Sequence, residues 1–368
     1  MATDSQALNF NISETDVAHD PGAWHYVTHH DMTTLMAAFT LANILHTDSK
    51  PFEASRFYRL AFDRHSGSPT EYPRPESLLQ ARLLCLLKAG HTLPEHELAE
   101  LYALSHPMGD YISGIRMAWT NGAHAQALQF IGNAYESFHT GEEADCRYLE
   151  VALQTKYASF APAARTIPPH LYMFWDKAPP PEIEDNIDYH ETLDGLARFK
   201  TYDRDEAADL LYDSYGIEAR TLFLESRHPA EAADFFRVHA IALHGGWWLD
   251  ADLRLRSADS LASTAEHQFF ITPNFYVHND FFGAIPGSPV LNDCLLSLYR
   301  NSYQHRNLFI AYKTGPGIFN RAVNRMIHRN IRAPQPLSML ISPPDRFSDA
   351  VEEFETPYKL VSPNWQTA

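Results

Sequence analysis

The hydrophobic pattern of this chain changes period near Phe160, and nothing else in the sequence limits its fold as tightly. Between residues 31 and 153 apolar side chains recur at helix spacing: Met32, Leu35, Met36 and Phe39, then Phe57, Leu60 and Ala61, then Leu78, Leu79, Leu83, Leu86 and Leu87 behind Pro75. Breaks at Pro51, over 66–73, over 90–94 and over 107–109 divide this stretch into about four to six helices. Ala161-Pro162-Ala163-Ala164 then reads as a short linker. Beyond it the apolar runs are short, aromatic and β-branched. They predict strands over residues 167–174, 197–202, 219–224 and 247–249, alternating with helices that start at Pro181, Arg204 and Pro229. That order is the pattern of βαβ units in a largely parallel sheet, which takes its ligand at the C-terminal ends of the strands.

The expected organisation is a flexible leader over 1–22, an all-α domain over 23–160 and an α/β domain over 161–368, a division that suits a chain of 368 residues. With 45% apolar and 20% charged residues, the composition is that of a folded globular protein. The net charge of −17 argues against a nucleic-acid partner, because binding a polyanion depends on clustered Lys and Arg. Cys85, Cys146 and Cys294 are far apart and form no CxxC pair, which suits a reducing compartment. No apolar run reaches the roughly 18 residues of a membrane span. The polar, acidic start lacks the basic and apolar regions of a signal peptide. A cytoplasmic protein is expected, with the N-terminal helices as the surface for any peripheral membrane association.

Candidate chemistry concentrates in residues 231–255. Asp234 and Arg237 stand three apart on a predicted helix, a spacing that also suits an ordinary surface ion pair. Gly245 and Gly246 end that helix and permit a tight turn into the apolar run Trp247-Trp248-Leu249, which leads into Asp250-Ala251-Asp252. Carboxylates at i and i+2 of an extended segment share a face. Asp250 and Asp252 can therefore converge on one hard cation, or divide between a cation and a ribose. Mg²⁺ and Mn²⁺ take oxygen ligands and commonly keep positions for phosphate oxygens.

These residues resemble the hallmark block of the DXD-containing sugar transferases. That family includes fungal initiating mannosyltransferases and, more distantly, the glucosyltransferase domains of large clostridial toxins. Its pattern of Ser-Asp-x-x-Arg, a helix, and Gly-Gly-x-Tyr-Leu-Asp-x-Asp is matched in spacing by Ala233-Asp234-Phe235-Phe236-Arg237 and Gly245-Gly246-Trp247-Trp248-Leu249-Asp250-Ala251-Asp252. A second hallmark, Ile-Pro-Lys-Ile-Ile-His-x-x-Trp, is echoed by Ile167-Pro168-Pro169-His170-Leu171-Tyr172-Met173-Phe174-Trp175. A third, Thr-Gly-Pro before a helix, is echoed by Thr314-Gly315-Pro316. The likeness covers residues 167–316 and none of the helical region.

The resemblance implies a GT-A-type, Rossmann-like nucleotide-sugar-binding domain, a UDP- or GDP-sugar donor, a Mn²⁺ or Mg²⁺ cofactor, and retaining transfer to an acceptor hydroxyl of a glycan, lipid or protein. By position it implies that Trp175 stacks on the donor base, that Asp234 and Arg237 meet donor sugar hydroxyls, and that Asp250 and Asp252 serve ribose and metal. Asn279 falls where the family places an amide near the donor, and Trp365 where the toxin enzymes carry a lid tryptophan. Ala233 in place of Ser and Tyr172 in place of His leave the sugar open.

A basic side chain, Lys313 or His278, is expected beside the leaving diphosphate. No carboxylate is placed as a covalent nucleophile, so front-face displacement follows from the resemblance. The helical domain would recognise an acceptor, a partner or a membrane, or support the site. The alternative class is a helical interaction scaffold with a degenerate transferase fold that binds sugar nucleotide without turnover, and the intact Asp250 and Asp252 count against it. The 20 histidines supply no HExxH or Cys/His ligand set, and the sequence has no Walker loop or GxSxG elbow.

Overall fold

The computed structural model describes residues 12–68, 70–163, 165–335 and 337–360. The chain divides into two compact units, Met1–Ser137 and Phe138–Ala368. In the first, helices α1 (Pro21–His29), α2 (Leu35–Thr47), α3 (Pro51–Asp63), α4 (Pro75–Lys88), α5 (Glu95–Leu104), α6 (His106–Asn121) and α7 (His124–Ile131) follow one another. Proline enters the first turn of α1, α3, α4 and α6, where its missing N–H would have had no helical partner. Leu41 and Leu45 of α2 join Phe57 and Leu60 of α3 and Leu78 of α4 in one buried cluster.

Two features of this unit differ from the sequence reading. The described part of the expected leader is folded: Val17 is buried at the end of a 3₁₀ turn over Glu14–Val17, Asp16 pairs with Arg56 at 3.0 Å, and Asp20 caps α1 by accepting the Ala23 N–H at 2.8 Å. Among the described residues between 31 and 153 there are seven helices, the last of them, over Glu143–Leu153, in the second unit, where about four to six were predicted. Ser105 both ends α5 and begins α6, and Gly122, at φ 65°, separates α6 from α7.

The second unit contains α8 (Glu143–Leu153), β1 (His170–Phe174), α9 (Pro181–Glu191), β2 (Arg198–Tyr202), α10 (Arg204–Tyr215), α11 (Ile217–Leu224), α12 (Pro229–His244), β3 (Gly246–Leu249) and β4 (Leu253–Leu255). It continues through β5 (His267–Phe270), β6 (Phe281–Ala284), α13 (Pro289–Gln304), α14 (Ile310–Lys313), α15 (Pro316–Arg332), β7 (Met339–Ser342), α16 (Pro344–Ala350) and β8 (Val351–Glu353). Its main sheet has the order β2-β1-β3-β6-β5-β7. Strand β1 runs parallel to β2 and β3, and β5 parallel to β7, while β6 is antiparallel to β3 and β5. The unit is thus mixed α/β around a mostly parallel sheet, and β4 and β8 form a separate antiparallel pair.

The run 219–224, expected as a strand, is part of helix α11. Gly216 at φ 88° ends α10 and starts α11, and Ala219 and Phe223, one helical turn apart, are its buried side chains. A six-residue apolar run fits either period, and the contacts select the helix. The division also falls earlier than the break expected near Phe160. Asp145 of α8 is fully buried and accepts Arg321 Nε of α15 at 2.8 Å. Asn324 donates to the Asp145 carbonyl at 2.9 Å, and Phe160 bridges to Leu337. No helix among the described residues is long and apolar enough to cross a membrane.

Candidate active site

Gly245 and Gly246 hold φ at 63° and 109°. A Cβ at Gly245 would lie 2.4 Å from Pro286 Cδ, and one at Gly246 would lie 2.7 Å from the His170 carbonyl oxygen. Only glycine turns α12 into β3 this tightly. Alternation along β3 then sends Trp247 and Leu249 into one buried cluster and turns Trp248 toward Phe236 and Arg237 of α12. Asp250 follows on the Trp248 side and accepts the indole N–H of Trp248 at 2.7 Å.

The backbone does not stay extended past Leu249. Leu253 N–H donates to the Asp250 carbonyl at 2.9 Å, so Asp250-Ala251-Asp252 is a tight turn. The approach of the two carboxylates is therefore set by the turn and its clamps, not by the alternation of a strand. Asn186 of α9 is the principal clamp, donating to the carbonyls of Ala251 at 2.9 Å and Leu253 at 2.7 Å. His190 adds a second by accepting the Leu255 N–H at 3.0 Å.

Arg237, 3% exposed, sits at the centre of the site. Its guanidinium meets Asp234 at 3.2 Å and Asp250 at 3.0 Å and donates to the Asn279 carbonyl at 2.5 Å. Asp234 in turn accepts the Asn279 amide at 2.8 Å and the Thr314 hydroxyl at 3.0 Å. Gly315 keeps this corner open, since a Cβ there would stand 3.2 Å from Asp234 Oδ2. The antiparallel β3–β6 pairing supplies Asn279, because Leu249 faces Phe281 and Asp250 N–H donates to the Asp280 carbonyl at 2.8 Å.

Asp252 has different company. Its Oδ2 accepts the Lys359 ammonium at 2.7 Å and lies 3.4 Å from the Tyr358 hydroxyl. Both come from the 3₁₀ turn Pro357–Leu360. Trp175 leaves the same end of the sheet as Asp250, following the β1–β3 register of Leu171 with Trp247. It is half-buried and meets Tyr358 edge-on at 5.2 Å. Trp365 lies outside the described residues.

The electrostatics follow from four acids around one buried guanidinium. Burial pushes the Asp234 carboxyl up to about 6, against the opposing pull of Arg237, Thr314 and Asn279. Burial also raises Asp250, opposed by Arg237 and reinforced by Asp252 and Asp280. Burial would lower Arg237, but Asp250, Asp234, Asp280 and Asp252 together hold it above its usual value. A divalent cation would relieve such a surplus of acid.

The fit to Mn²⁺ or Mg²⁺ rests on Asp250 and Asp252, whose donors are oxygens suited to a hard ion, and on Lys359, a cation already standing at Asp252. Among the described residues no group of three or more acidic, histidine or cysteine side chains is gathered for a metal. The remaining ligands would then be water and diphosphate, a common arrangement for Mg²⁺.

Neither basic residue expected beside the diphosphate is free. Lys313 is buried and donates to Glu231. His278 stacks on Phe347 at 3.8 Å, with its Nδ1 3.0 Å from Asp280. Sequence reasoning missed the roles of Asn186, His190, Trp248, Thr314, Tyr358 and Lys359. Trp248 and Thr314 stand inside the motif segments and were readable by their chemistry, whereas the other four had no local signal.

No protein-family model matches the chain, and no curated protein does. Among solved structures, a chain described as "PaToxG Glycosyltransferase" is similar at a TM-score of 0.35 and 15% identity, over 48% of this chain and 75% of its own length. A likeness of that size transfers no activity from one chain to another.

Proposed function

We propose that the second unit is a GT-A-type, metal-dependent retaining glycosyltransferase that moves a sugar from a UDP- or GDP-sugar to an acceptor hydroxyl. The observation that carries this reading is the hydrogen-bonded cluster of Asp234, Arg237, Asp250, Asn279 and Thr314. Motif residues from segments far apart in sequence meet beside a strand end, where an α/β sheet binds its ligand.

In this reading Asp250 and Asp252 would hold Mn²⁺ or Mg²⁺, which when bound neutralises a departing diphosphate. Trp175 stacks on the base, and Lys359 is the basic group beside the diphosphate in place of Lys313. Arg237 acts by positioning, because its N–H groups are spent on Asp234, Asp250 and a backbone carbonyl. Asp234 is buried and accepts three donors, which makes it a poor nucleophile. Front-face displacement, with the diphosphate taking the acceptor proton, suits that arrangement.

The test is a screen of nucleotide-sugars with Mn²⁺ present, reading nucleoside diphosphate release. One donor is expected to be hydrolysed, and Asp250→Asn and Asp252→Asn are each expected to abolish its turnover while circular dichroism stays unchanged. Undiminished release by the double variant in EDTA would end the proposal.

A further inference from the structure

Asp252 and Trp175, proposed to serve metal and base, share a partner that belongs to none of the motif segments. Strand β8 pairs antiparallel with β4, and Glu353 stands opposite Leu253, the residue after Asp252. Phe354, next in the chain, lies beneath the Arg254 guanidinium at 5.1 Å. From this anchor the chain passes through Glu355 and Thr356 into the 3₁₀ turn Pro357–Leu360, where Lys359 N–H donates to the Thr356 carbonyl at 3.0 Å. Two side chains of that turn reach the site.

The Lys359 ammonium meets Asp252 at 2.7 Å, with 54% of the lysine side chain and 25% of the aspartate exposed. Tyr358 sets its ring edge-on to Trp175 at 5.2 Å and its hydroxyl 3.4 Å from the same Asp252 oxygen. Its N–H donates to the Glu182 carboxylate at 3.0 Å. The turn therefore engages the groups that a cation and a base would need. Ion pairs this exposed to water contribute little, so this one can be exchanged for a stronger partner. A hard divalent ion is such a partner, because it carries twice the charge and binds carboxylate oxygens directly. The two cations also repel one another on a single carboxylate.

We propose that Lys359 is the resident counter-ion of Asp252 and gives way there to a divalent cation, which moves the Pro357–Leu360 turn off Asp252 and Trp175. This rests on the reading of Asp252 as a metal ligand. The anchor at Glu353 and Phe354 stays in place, and Glu355 and Thr356 take up the movement. The released ammonium is then available to the diphosphate, so one side chain neutralises Asp252 first and the leaving group later.

The experiment uses the full chain without nucleotide. Mn²⁺ affinity is read from the paramagnetic resonance of the free ion, and backbone hydrogen exchange at Tyr358 is followed with and without Mg²⁺. Lys359→Met is expected to bind Mn²⁺ about two- to fivefold more tightly than the parent, the range open to a partly exposed ion pair. Lys359→Arg is expected to restore the parent's affinity. Mg²⁺ is expected to speed exchange at Tyr358 as its N–H leaves Glu182. A thermal melt verifies that each variant folds. Asp252→Asn separates the two readings. Mn²⁺ bound equally by the parent and Asp252→Asn, or by neither, overturns the metal assignment and this proposal together. Binding that needs Asp252 but is unchanged in Lys359→Met, or that leaves exchange at Tyr358 unaltered, overturns this proposal alone.

Discussion

The two units bury different kinds of side chain. The described part of the first closes on aliphatic and aromatic groups, with Asp20, Ser55, Gln80 and Glu97 as its buried polar residues. The second buries Asp145, Asp234, Arg237, Lys313 and Arg321, together with His190 and His239. Taking charge out of water is unfavourable unless partners replace the solvent, and an apolar core of the same volume is often as stable. The second unit therefore carries polar networks that folding alone does not require. One of them, around Arg237, forms the candidate site, and another, around Arg321, ties α8 to α15.

The strongest way to break this contrast is to cut the chain. A chain starting at Phe138 is expected to fold, whereas one starting at Ala161 loses α8 and leaves Arg321 buried without Asp145. Breaking a buried pair costs about 3–5 kcal/mol, a large share of the roughly 5–15 kcal/mol that holds a domain together. Equal yields and melting temperatures for the two would return the boundary to Phe160. Next in size, Arg237→Met is expected to destabilise the full chain by about 3–5 kcal/mol in denaturant unfolding, since it strands Asp234 and Asp250.

Acid offers a third comparison. His190 and His239 are lowered to about 4 by burial. Each stays neutral in the fold, with Nδ1 on a backbone carbonyl and Nε2 on Leu255 N–H or the Tyr299 hydroxyl. Unfolded imidazoles take up protons near pH 6.5 and the buried ones resist until about 4. Their contribution is therefore intact above pH 6.5 and is lost as pH falls toward 4, by up to about 3 kcal/mol each. Asp234, raised by burial, works in the opposite sense below pH 6. Unfolding free energy measured from pH 7 to 4.5 should fall less steeply in His239→Gln than in the parent, and identical slopes would remove His239 from the account.

The smallest effect is expected in the first unit. Arg59 lies 2.9 Å from both Asp63 and Glu100, and all three side chains are partly exposed. Arg59→Ala should cost less than about 1 kcal/mol. A loss comparable to that of Arg237→Met would erase the distinction between the units.

The sequence by itself determined the elements and the motif segments. Period and punctuation located α9, α10, α12, β1, β2 and β3 within a few residues, because helix and strand spacing are local properties of the chain. Gly245-Gly246 before Trp247-Trp248-Leu249 marked the turn into β3, since positive φ and close backbone approach leave no other residue a fit. Asp234 and Arg237 were legible as a pair from their helical spacing. Tertiary structure decided the rest. Residues 219–224 became helix by packing Ala219 and Phe223, and Lys313 was captured by Glu231, 82 positions away. Asp145 drew α8 into the second unit by meeting Arg321, and the Asp250–Asp252 turn took its shape from Asn186. Each of these depends on a partner distant in sequence, and a local pattern holds no information about which buried charge or carbonyl another segment will bring to it.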